Sequence, residues 1–331
     1  MMKTIAIVAG GDSSEYEVSL RSAQGLYSFI DKEKYLPYIV VLRGKDWQAY
    51  PEGLESEARA VIDRNDFSFT YQGNKISFDL AWITIHGTPG ENGCLQGYFD
   101  VIGMPYQCCG VLAAALTFDK FTCNHYLSQF GIKTAKSVLL KRPGQMKDEE
   151  ILQACGLPCF VKSNVGGSSF GTTKVKEASQ LEGAVAAAFC EGGSVIVESF
   201  LDGLELTSGC YKTKQHAVCL PLTEVQTENE FFDYEAKYTA GMSDEITPAD
   251  IAPEIADKLH EMTLAAYKAC RCKGLARVDF IVTPEGEPYM IEINTIPGMS
   301  GGSIVPKQIR AAGMTMTEVL TLVIEDALCN Q

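Results

Sequence analysis

Residues 275–306 read LARVDFIVTPEGEPYMIEINTIPGMSGGSIVP, and no other stretch limits the chain's folding options as strongly. Successive side chains of a strand point to opposite faces. The first half therefore puts Arg277, Asp279 and Ile281 on one face and Val278, Phe280 and Val282 on the other. A turn cluster, Thr283-Pro284-Glu285-Gly286-Glu287-Pro288, comes next. The second half alternates again, with Met290, Glu292 and Asn294 opposite Ile291 and Ile293. Two alternating runs around a turn predict a hairpin. If Val282 pairs with Tyr289, Asp279 lies opposite Glu292 and Arg277 opposite Asn294. One face then carries three oxygen donors beside a guanidinium. Hard oxygen ligands on a rigid element suit Mg²⁺, which takes one or two carboxylates and completes its shell with substrate phosphates. The same alternation also describes the solvated face of an edge hairpin.

A phosphate site needs local positive charge, because the bulk composition is acidic. The 331 residues carry 28 Lys and Arg against 42 Asp and Glu, a net charge of −14. That balance argues against general nucleic-acid binding and against an anionic membrane surface. The length predicts two or three domains, and 46% hydrophobic with 21% charged residues is a globular composition. The 12 Cys contain no CxxC pair, and Cys108-Cys109, Cys155/Cys159 and Cys270/Cys272 lack zinc spacing. Scattered through apolar runs, they read as reduced core residues of a cytosolic protein. The apolar run Ile5–Ala9 is too short for a signal segment and precedes Gly10-Gly11, so it predicts a first strand. No apolar run approaches the ~18 residues of a membrane span.

Strand Thr4–Ala9, a Gly-rich turn and a helix from Glu15 to about Ile30 open a doubly wound α/β domain. Ser13 or Ser14 is the expected cap, and Glu15 and Glu17 suit the first turn through the helix dipole. Pro37–Leu42 and Asp79–Ile85 are further strands, with small strands expected around Trp47 and Phe67–Ile76. His86-Gly87-Thr88-Pro89-Gly90-Glu91-Asn92-Gly93 follows the latter strand, at the sheet end where open α/β folds bind ligands. His86 there is either catalytic or a helix cap. Helical patterns at Val111–Leu116 and Phe118–Phe130 flank Asp119-Lys120. Strands at Ser137–Leu140 and Cys159–Lys162 enclose a short helix, Asp148–Cys155. Lys162–Gly171 (KSNVGGSSFG) joins two strands, and its backbone N–H groups and hydroxyls can wrap phosphate. It is not a Walker loop, and it also fits a mobile hairpin tip. Helix Ala178–Cys190 and strand Ser194–Phe200 follow, then strands Leu206–Tyr211 and Ala217–Leu220. Residues 223–247 read as a long irregular lid with Phe231, Phe232, Tyr234 and Tyr238 packed over a site. Pro248–Cys272 has helical spacing, with Thr247 as its expected cap. Helices at Val305–Ala312 and Thr317–Leu328 end the chain.

In this order, GGDSSEYEVSLRSA (10–23), HGTPGENGCLQGYFDVIGMPY (86–106), ALTFDK (115–120), VKSNVGGSSFG (161–171), FFDYEAKY (231–238), ARVDF (276–280) and IEINTIPGMS (291–300) resemble the ATP-grasp ligases. Within them the chain is similar, over essentially its full length, to the D-alanine–D-alanine ligase family. The resemblance implies an α/β ATP-grasp fold: an N-terminal α/β domain (1–116), a central grasp subdomain with a Gly/Ser-rich flap (117–205) and a C-terminal domain (206–331). It implies that ATP phosphorylates one D-alanine carboxylate, that a second D-alanine attacks the acyl phosphate, and that ADP and phosphate are released for peptidoglycan precursor synthesis. Such chemistry relies on charge neutralisation and positioning rather than a protein nucleophile.

By the same resemblance, Asp279, Glu292 and Asn294 are the ligands of a pair of Mg²⁺ ions, with Mn²⁺ as an alternative. Arg277 and the Gly298 N–H stabilise the acyl phosphate and the tetrahedral intermediate. Lys120, Lys162 and Lys237 hold ATP phosphates, Glu198 and Glu205 hold adenine and ribose, and Ser199–Leu201 form the adenine hinge. Glu17 takes the ammonium of the first D-alanine, with Ser168 and Tyr238 as hydrogen-bonding partners and His86 nearby; Ser303 takes the second carboxylate. A cytoplasmic bacterial homodimer with no nucleic-acid or membrane partner is implied. Tyr16 stands where many relatives have His or Arg, and the Gly-rich SGGS at 300–303 departs around Ser303. Tyr238 favours an amine over D-lactate as acceptor. Two alternatives stand beside this reading: a ligase of another acceptor, and a nucleotide-binding regulator without turnover.

Overall fold

The alternation of Ile5–Ala9 places Ile5, Ile7 and Ala9 in one apolar core and Ala6 and Val8 in another, so this strand is buried on both faces. A strand covered on both sides must be central and flanked by helices. The computed structural model, which describes residues 2–167, 171–213, 216–227 and 243–329, has this arrangement. Strand Lys3–Gly10 pairs in parallel with Tyr35–Arg43 and with Leu80–Ile83, and the latter with Tyr106–Gln107. Asp46–Tyr50 and Ala60–Val61 add an antiparallel edge. Helix Tyr16–Phe29 buries Val18, Ser19, Ser22, Ala23 and Leu26, the i, i+3, i+4 stripe that its sequence carries. Gly10 has φ +93°, and a Cβ there would lie 2.3 Å from Leu42 O, so only glycine allows this tight exit from the strand.

The middle of the chain forms a four-stranded antiparallel sheet in the order Thr173–Val175, Cys159–Ser163, Val195–Ser199, Ser137–Leu140. Ile151 and Cys155 of helix Asp148–Cys155, and Leu181, Ala184 and Ala188 of helix Leu181–Glu191, cover one face of it. The third sheet runs Ser243–Ile246, Thr223–Thr227, Leu204–Lys212, Leu275–Val282, Pro288–Asn294, with Ala217–Cys219 also paired to Leu204–Lys212. Helix Pro253–Ala269 backs this sheet through Leu259, Ala266 and Tyr267. The last two helices, Ile304–Ala311 and Met316–Cys329, return to the first sheet. Val305, Ile309, Val319, Leu320 and Ile324 share a core with Ile5, Ile7 and Trp82.

Three local expectations are corrected. Residues 223–247 are not irregular throughout, because Thr223–Thr227 and Ser243–Ile246 are paired strands. The aromatic middle of the expected lid lies outside the described residues. Thr247 does not cap the following helix: its hydroxyl meets Thr223 Oγ1 at 2.7 Å, and the helix begins six residues later at Pro253 after Ala252. Proline at the first helical position costs nothing there, since its missing N–H has no intrahelical partner. Neither Ser13 nor Ser14 caps Tyr16–Phe29, where Glu15 is the N-cap residue. Ser13 Oγ instead donates to His86 O at 2.7 Å, tying the first Gly-rich turn to the loop after strand Leu80–Ile83.

Candidate active site

The three sheets converge on two connected spaces. The larger, about 930 Å³, lies between the central sheet and the hairpin, with Lys120, Lys162, Glu198, Leu201, Glu205, Asp279 and Glu292 in its wall. The smaller, about 330 Å³, adjoins the N-terminal sheet and includes Glu15, His86, Asn294, Gly298 and Ser303. Glu15, Lys120, Gly166, Gly167, Arg277 and Glu292 border both.

The hairpin brings its oxygen donors together through a register break. Near the turn Val282 pairs with Pro288, Ile281 with Tyr289 and Phe280 with Met290, one residue off the expected register. An irregularity between Asp279 and Phe280 then absorbs one residue, so Asp279 faces Glu292 and Arg277 faces Asn294. As a result Met290 leaves the expected ligand face: it is 1% exposed and packs in the core with Phe280 and Ile293. Arg277 holds Asp279 with a two-pronged contact, Nε to Oδ1 and Nη2 to Oδ2, both 2.8 Å. Thr207 Oγ1 also donates to Asp279 Oδ1, at 2.5 Å. Lys120 Nζ lies 3.8 Å from Glu292 Oε2, and Asn294 Oδ1 accepts from Ile296 N.

This donor set fits a hard divalent cation. It is all oxygen, Asp279 is 9% exposed, and it borders a cavity large enough for a nucleotide. Among the described residues no preassembled group of three or more His, Cys, Asp or Glu exists. Two carboxylates and an amide, completed by phosphate oxygens, are what Mg²⁺ accepts.

At the far end of the larger cavity, Lys162 Nζ pairs with Glu198 Oε2 at 2.6 Å. Burial pulls the Lys162 pKa down, but Glu198, Glu292 and Glu205 outweigh it and raise the value, so the ammonium stays charged. Glu198 also accepts from Asn124 Nδ2 at 3.3 Å. Phe160 and Phe200 form an aromatic wall, with ring centroids 6.0 Å apart and Lys174 Nζ 3.9 Å from the Phe200 ring. In the expected hinge, the Ser199 and Phe200 amides donate to Lys136 O and Pro158 O. Both therefore serve the sheet, and Leu201 is the hinge residue whose amide has no such partner among the described residues.

In the smaller cavity, His86 is 5% exposed and its Nε2 has no hydrogen-bond partner among the described residues. It is not a helix cap, since Gly93 occupies that position before Cys94–Ile102. Burial lowers its pKa, with Glu15 opposing and Arg277 reinforcing the shift, so the ring is held neutral. Ser303 Oγ lies 2.8 Å from Ser300 Oγ and close to Gly298, where a Cβ would come within 3.0 Å of it.

Glu17 is the one expected site residue that the structure places away from both cavities: it is solvent-exposed. The neighbouring carboxylate, Glu15, is 6% exposed and borders both spaces. A Cβ on Gly167 would lie 2.7 Å from Glu15 Oε2, so the flap glycine sits directly against it. Residues two apart near a helix start point in nearly opposite directions, and only the one at the cap faces the sheet's carboxyl end. Ser168, Lys237 and Tyr238 lie outside the described residues.

Glu91, also missed, accepts from Gly87 N at 2.7 Å and borders the smaller cavity. Burial and then Glu15 push its pKa up to about 8; the Gly87 N–H and Lys120 oppose this, and Glu292 adds to it. A raised folded pKa means that the native state holds a proton which the unfolded chain releases above its ordinary value of 4.5. This contribution to stability is complete below 4.5 and is lost as pH rises through about 8. His86 has the opposite sign: with its pKa below 6.5, its contribution is present above 6.5 and lost as pH falls. Thermal unfolding followed between about pH 5 and 9 should therefore show a smaller alkaline loss of stability for Glu91→Gln than for the parent.

Comparison with known proteins decides the family. The profile described as D-ala D-ala ligase N-terminus matches residues 4–109, and that described as D-ala D-ala ligase C-terminus matches residues 126–325. The chain belongs to the D-alanine–D-alanine ligase family. The D-alanine–D-alanine ligase of Bacteroides fragilis is 54% identical over 98% of this chain and 99% of its own. That of Parabacteroides distasonis is 54% identical over 100% and 99%. Among solved structures, the VanG D-Ala:D-Ser ligase from Enterococcus faecalis superposes with a TM-score of 0.87 at 32% identity, covering 99% of this chain and 100% of that one. D-alanyl-alanine synthetase A from Vibrio cholerae gives 0.88 at 28% identity, covering 99% of each. The expected ATP-grasp ligase fold thus extends over the whole chain.

Proposed function

We propose that this ligase joins two D-alanine molecules through a D-alanyl phosphate, with ATP converted to ADP and phosphate. The observation that carries the reading is the meeting of Arg277, Glu15 and Glu292 at the junction of a nucleotide-sized cavity and an amino-acid-sized one, with Asp279 facing Glu292 in the wall of the larger. Adenine fits against Phe160, Phe200 and the Leu201 amide. The phosphates then run past Lys162 and Lys120 toward the hairpin, with Lys237 as a third cation. Asp279, Glu292 and Asn294 would hold the pair of Mg²⁺ ions, which would supply charge neutralisation for the phosphates.

The first D-alanine lies with its ammonium at Glu15, in place of the expected Glu17, and its carboxylate toward Arg277. One carboxylate oxygen attacks the γ-phosphorus in line, and the bond to the β-phosphate oxygen breaks. The second D-alanine sets its carboxylate at Ser303 and the N-terminus of helix Ile304–Ala311, where the helix dipole favours an anion. Its amine, having lost one proton to solvent, attacks the acyl carbon and gives up a second to the departing phosphate as the amide forms. Arg277 and the Gly298 N–H steady the oxyanion, and phosphate leaves. Ser168 and Tyr238, which lie outside the described residues, are the further hydrogen-bonding partners that the family resemblance implies for the first substrate. The neutral His86 offers an acceptor nitrogen in the same cavity.

We take the three parts as 1–116, 117–205 and 206–331; supporting this, residues of each line the two cavities, and the last helices pack against the first sheet. Among the described residues no helix is long and apolar enough to cross a membrane. A cytoplasmic homodimer working in peptidoglycan precursor synthesis accords with the family. D-alanine-dependent ADP formation with Mg²⁺ tests the assignment, with D-lactate and D-serine as competing acceptors across pH. D-alanyl-D-alanine should dominate. A well-folded protein whose ATP turnover ignores D-alanine would refute it.

A further inference from the structure

We propose that Gln308 is a positioning residue that fixes Asp279 for metal binding, a role that rests on the assignment of Asp279 as a ligand. Gln308 is on helix Ile304–Ala311 and is fully buried. Its partner is strand Leu204–Lys212, which along one edge pairs continuously with the Asp279 strand. The other edge is covered in two pieces. Thr223–Thr227 pairs with it only as far as Thr207, and Ala217–Cys219 takes over only from Cys210. The gap leaves Thr207 O and Gly209 N without a strand partner, and a buried backbone group without a partner is costly.

The Gln308 amide fills this gap. Its Nε2 donates to Thr207 O at 2.9 Å, and its Oε1 accepts from Gly209 N at 3.0 Å. One primary amide thus replaces a missing peptide unit. Position 209 must be glycine for this to work, because a Cβ there would lie 2.3 Å from Oε1. With its backbone held on both edges, Thr207 sits opposite Asp279 in register and donates its hydroxyl to Oδ1. Asp279 must exchange part of its Arg277 contact for a cation, and the Thr207 hydroxyl keeps the carboxylate aimed while it does so. Gln308 also lies on the helix whose start carries Ser303. The same amide therefore links the acceptor end of the site to the metal end.

Partners that orient a metal ligand alter metal affinity by about 10–100-fold when removed. The test measures Mn²⁺ binding to the full-length ligase with ADP and without D-alanine, from the electron paramagnetic resonance of unbound Mn²⁺. Gln308→Met and Thr207→Val should each weaken Mn²⁺ binding by about tenfold or more. Thr207→Ser, which keeps the hydroxyl, should bind as the parent does. The Gln308→Met/Thr207→Val double variant should be no weaker than the weaker single, since both act along one path. Mn²⁺ affinity of Gln308→Met within about twofold of the parent, or additive losses in the double variant, overturns the proposal. If Gln308→Met does not fold, the Thr207 pair decides: equal affinity for Val and Ser overturns it. Asp279→Asn separates the two layers. If that change leaves Mn²⁺ binding intact, the ligand assignment itself is wrong and the proposal falls with it.

Discussion

Glu292→Gln is expected to lower D-alanine-dependent ADP formation by about 10²–10³-fold while leaving the fold unchanged. The substitution keeps shape and one oxygen but removes a negative charge from a cluster that otherwise consists of Asp279 and Asn294. Glu292 faces Asp279 across the hairpin and lies 3.8 Å from Lys120, so it adjoins both the proposed cation site and the lysine proposed to bind phosphate. Its side chain is 28% exposed and borders both cavities, so the loss of charge is not a loss of packing. Circular dichroism and thermal unfolding should match the parent, and the activity loss should only partly recover at high Mg²⁺. Retained turnover would remove Glu292 from the metal site.

Glu15→Gln and Glu17→Gln should separate sharply. Glu15 is buried, lies against the flap glycine Gly167 and borders both cavities. Losing its charge removes the anion proposed to hold the first substrate's ammonium, a charge-assisted contact in a water-poor site. A loss of kcat/KM by about 10²-fold, expressed largely in the KM for the first D-alanine, is expected. Glu17 is exposed at the first turn of the helix and should show activity within about twofold of the parent, with stability changed by no more than ~1 kcal/mol through the helix dipole. Steady-state kinetics against D-alanine concentration tests the pair. An inactive Glu17→Gln beside an active Glu15→Gln would restore the assignment drawn from the sequence.

The two carboxylates show where sequence reasoning stops. Both sit in one short motif, both suit a helix start, and only burial tells them apart. The hairpin is a second case. Its alternation correctly implied that Asp279 meets Glu292, yet the pairing near the turn is shifted by one and a single irregularity restores it. Nothing in Met290-Ile291-Glu292 marks that irregularity, because Met and Ile tolerate either face. The result is that Met290 pairs with Phe280 and is buried in the core, at the wall of the cavity that Asp279 and Glu292 also border. The strands at Thr223–Thr227 and Ser243–Ile246 were hidden for another reason. They are short, largely polar and far apart in sequence, so no local period exposes their pairing.

Other features were legible because their causes are local. The five-residue apolar run at Ile5–Ala9 is a central strand, since only a strand buried on both faces tolerates such a run between Lys3 and two glycines. Helix Asp148–Cys155 and strand Ser137–Leu140 occur at the bounds their patterns implied. Lys162 stands on the strand beside the flap, as its position before the Gly/Ser run suggested.

The sequence by itself therefore determined the chemistry available: oxygen ligands on a hairpin, lysines beside a Gly-rich flap, and motifs in an order that marks the family. Periodicity and residue type are short-range properties, and they survive reading in one dimension. Only the tertiary structure decided which of those groups converge. It buried Glu15 and exposed Glu17, paired Lys162 with Glu198, and brought Gln308 across to a gap in the strand opposite Asp279. Each of these depends on contacts between residues far apart in the chain, through the burial and charge that packing creates, and no local pattern encodes such contacts.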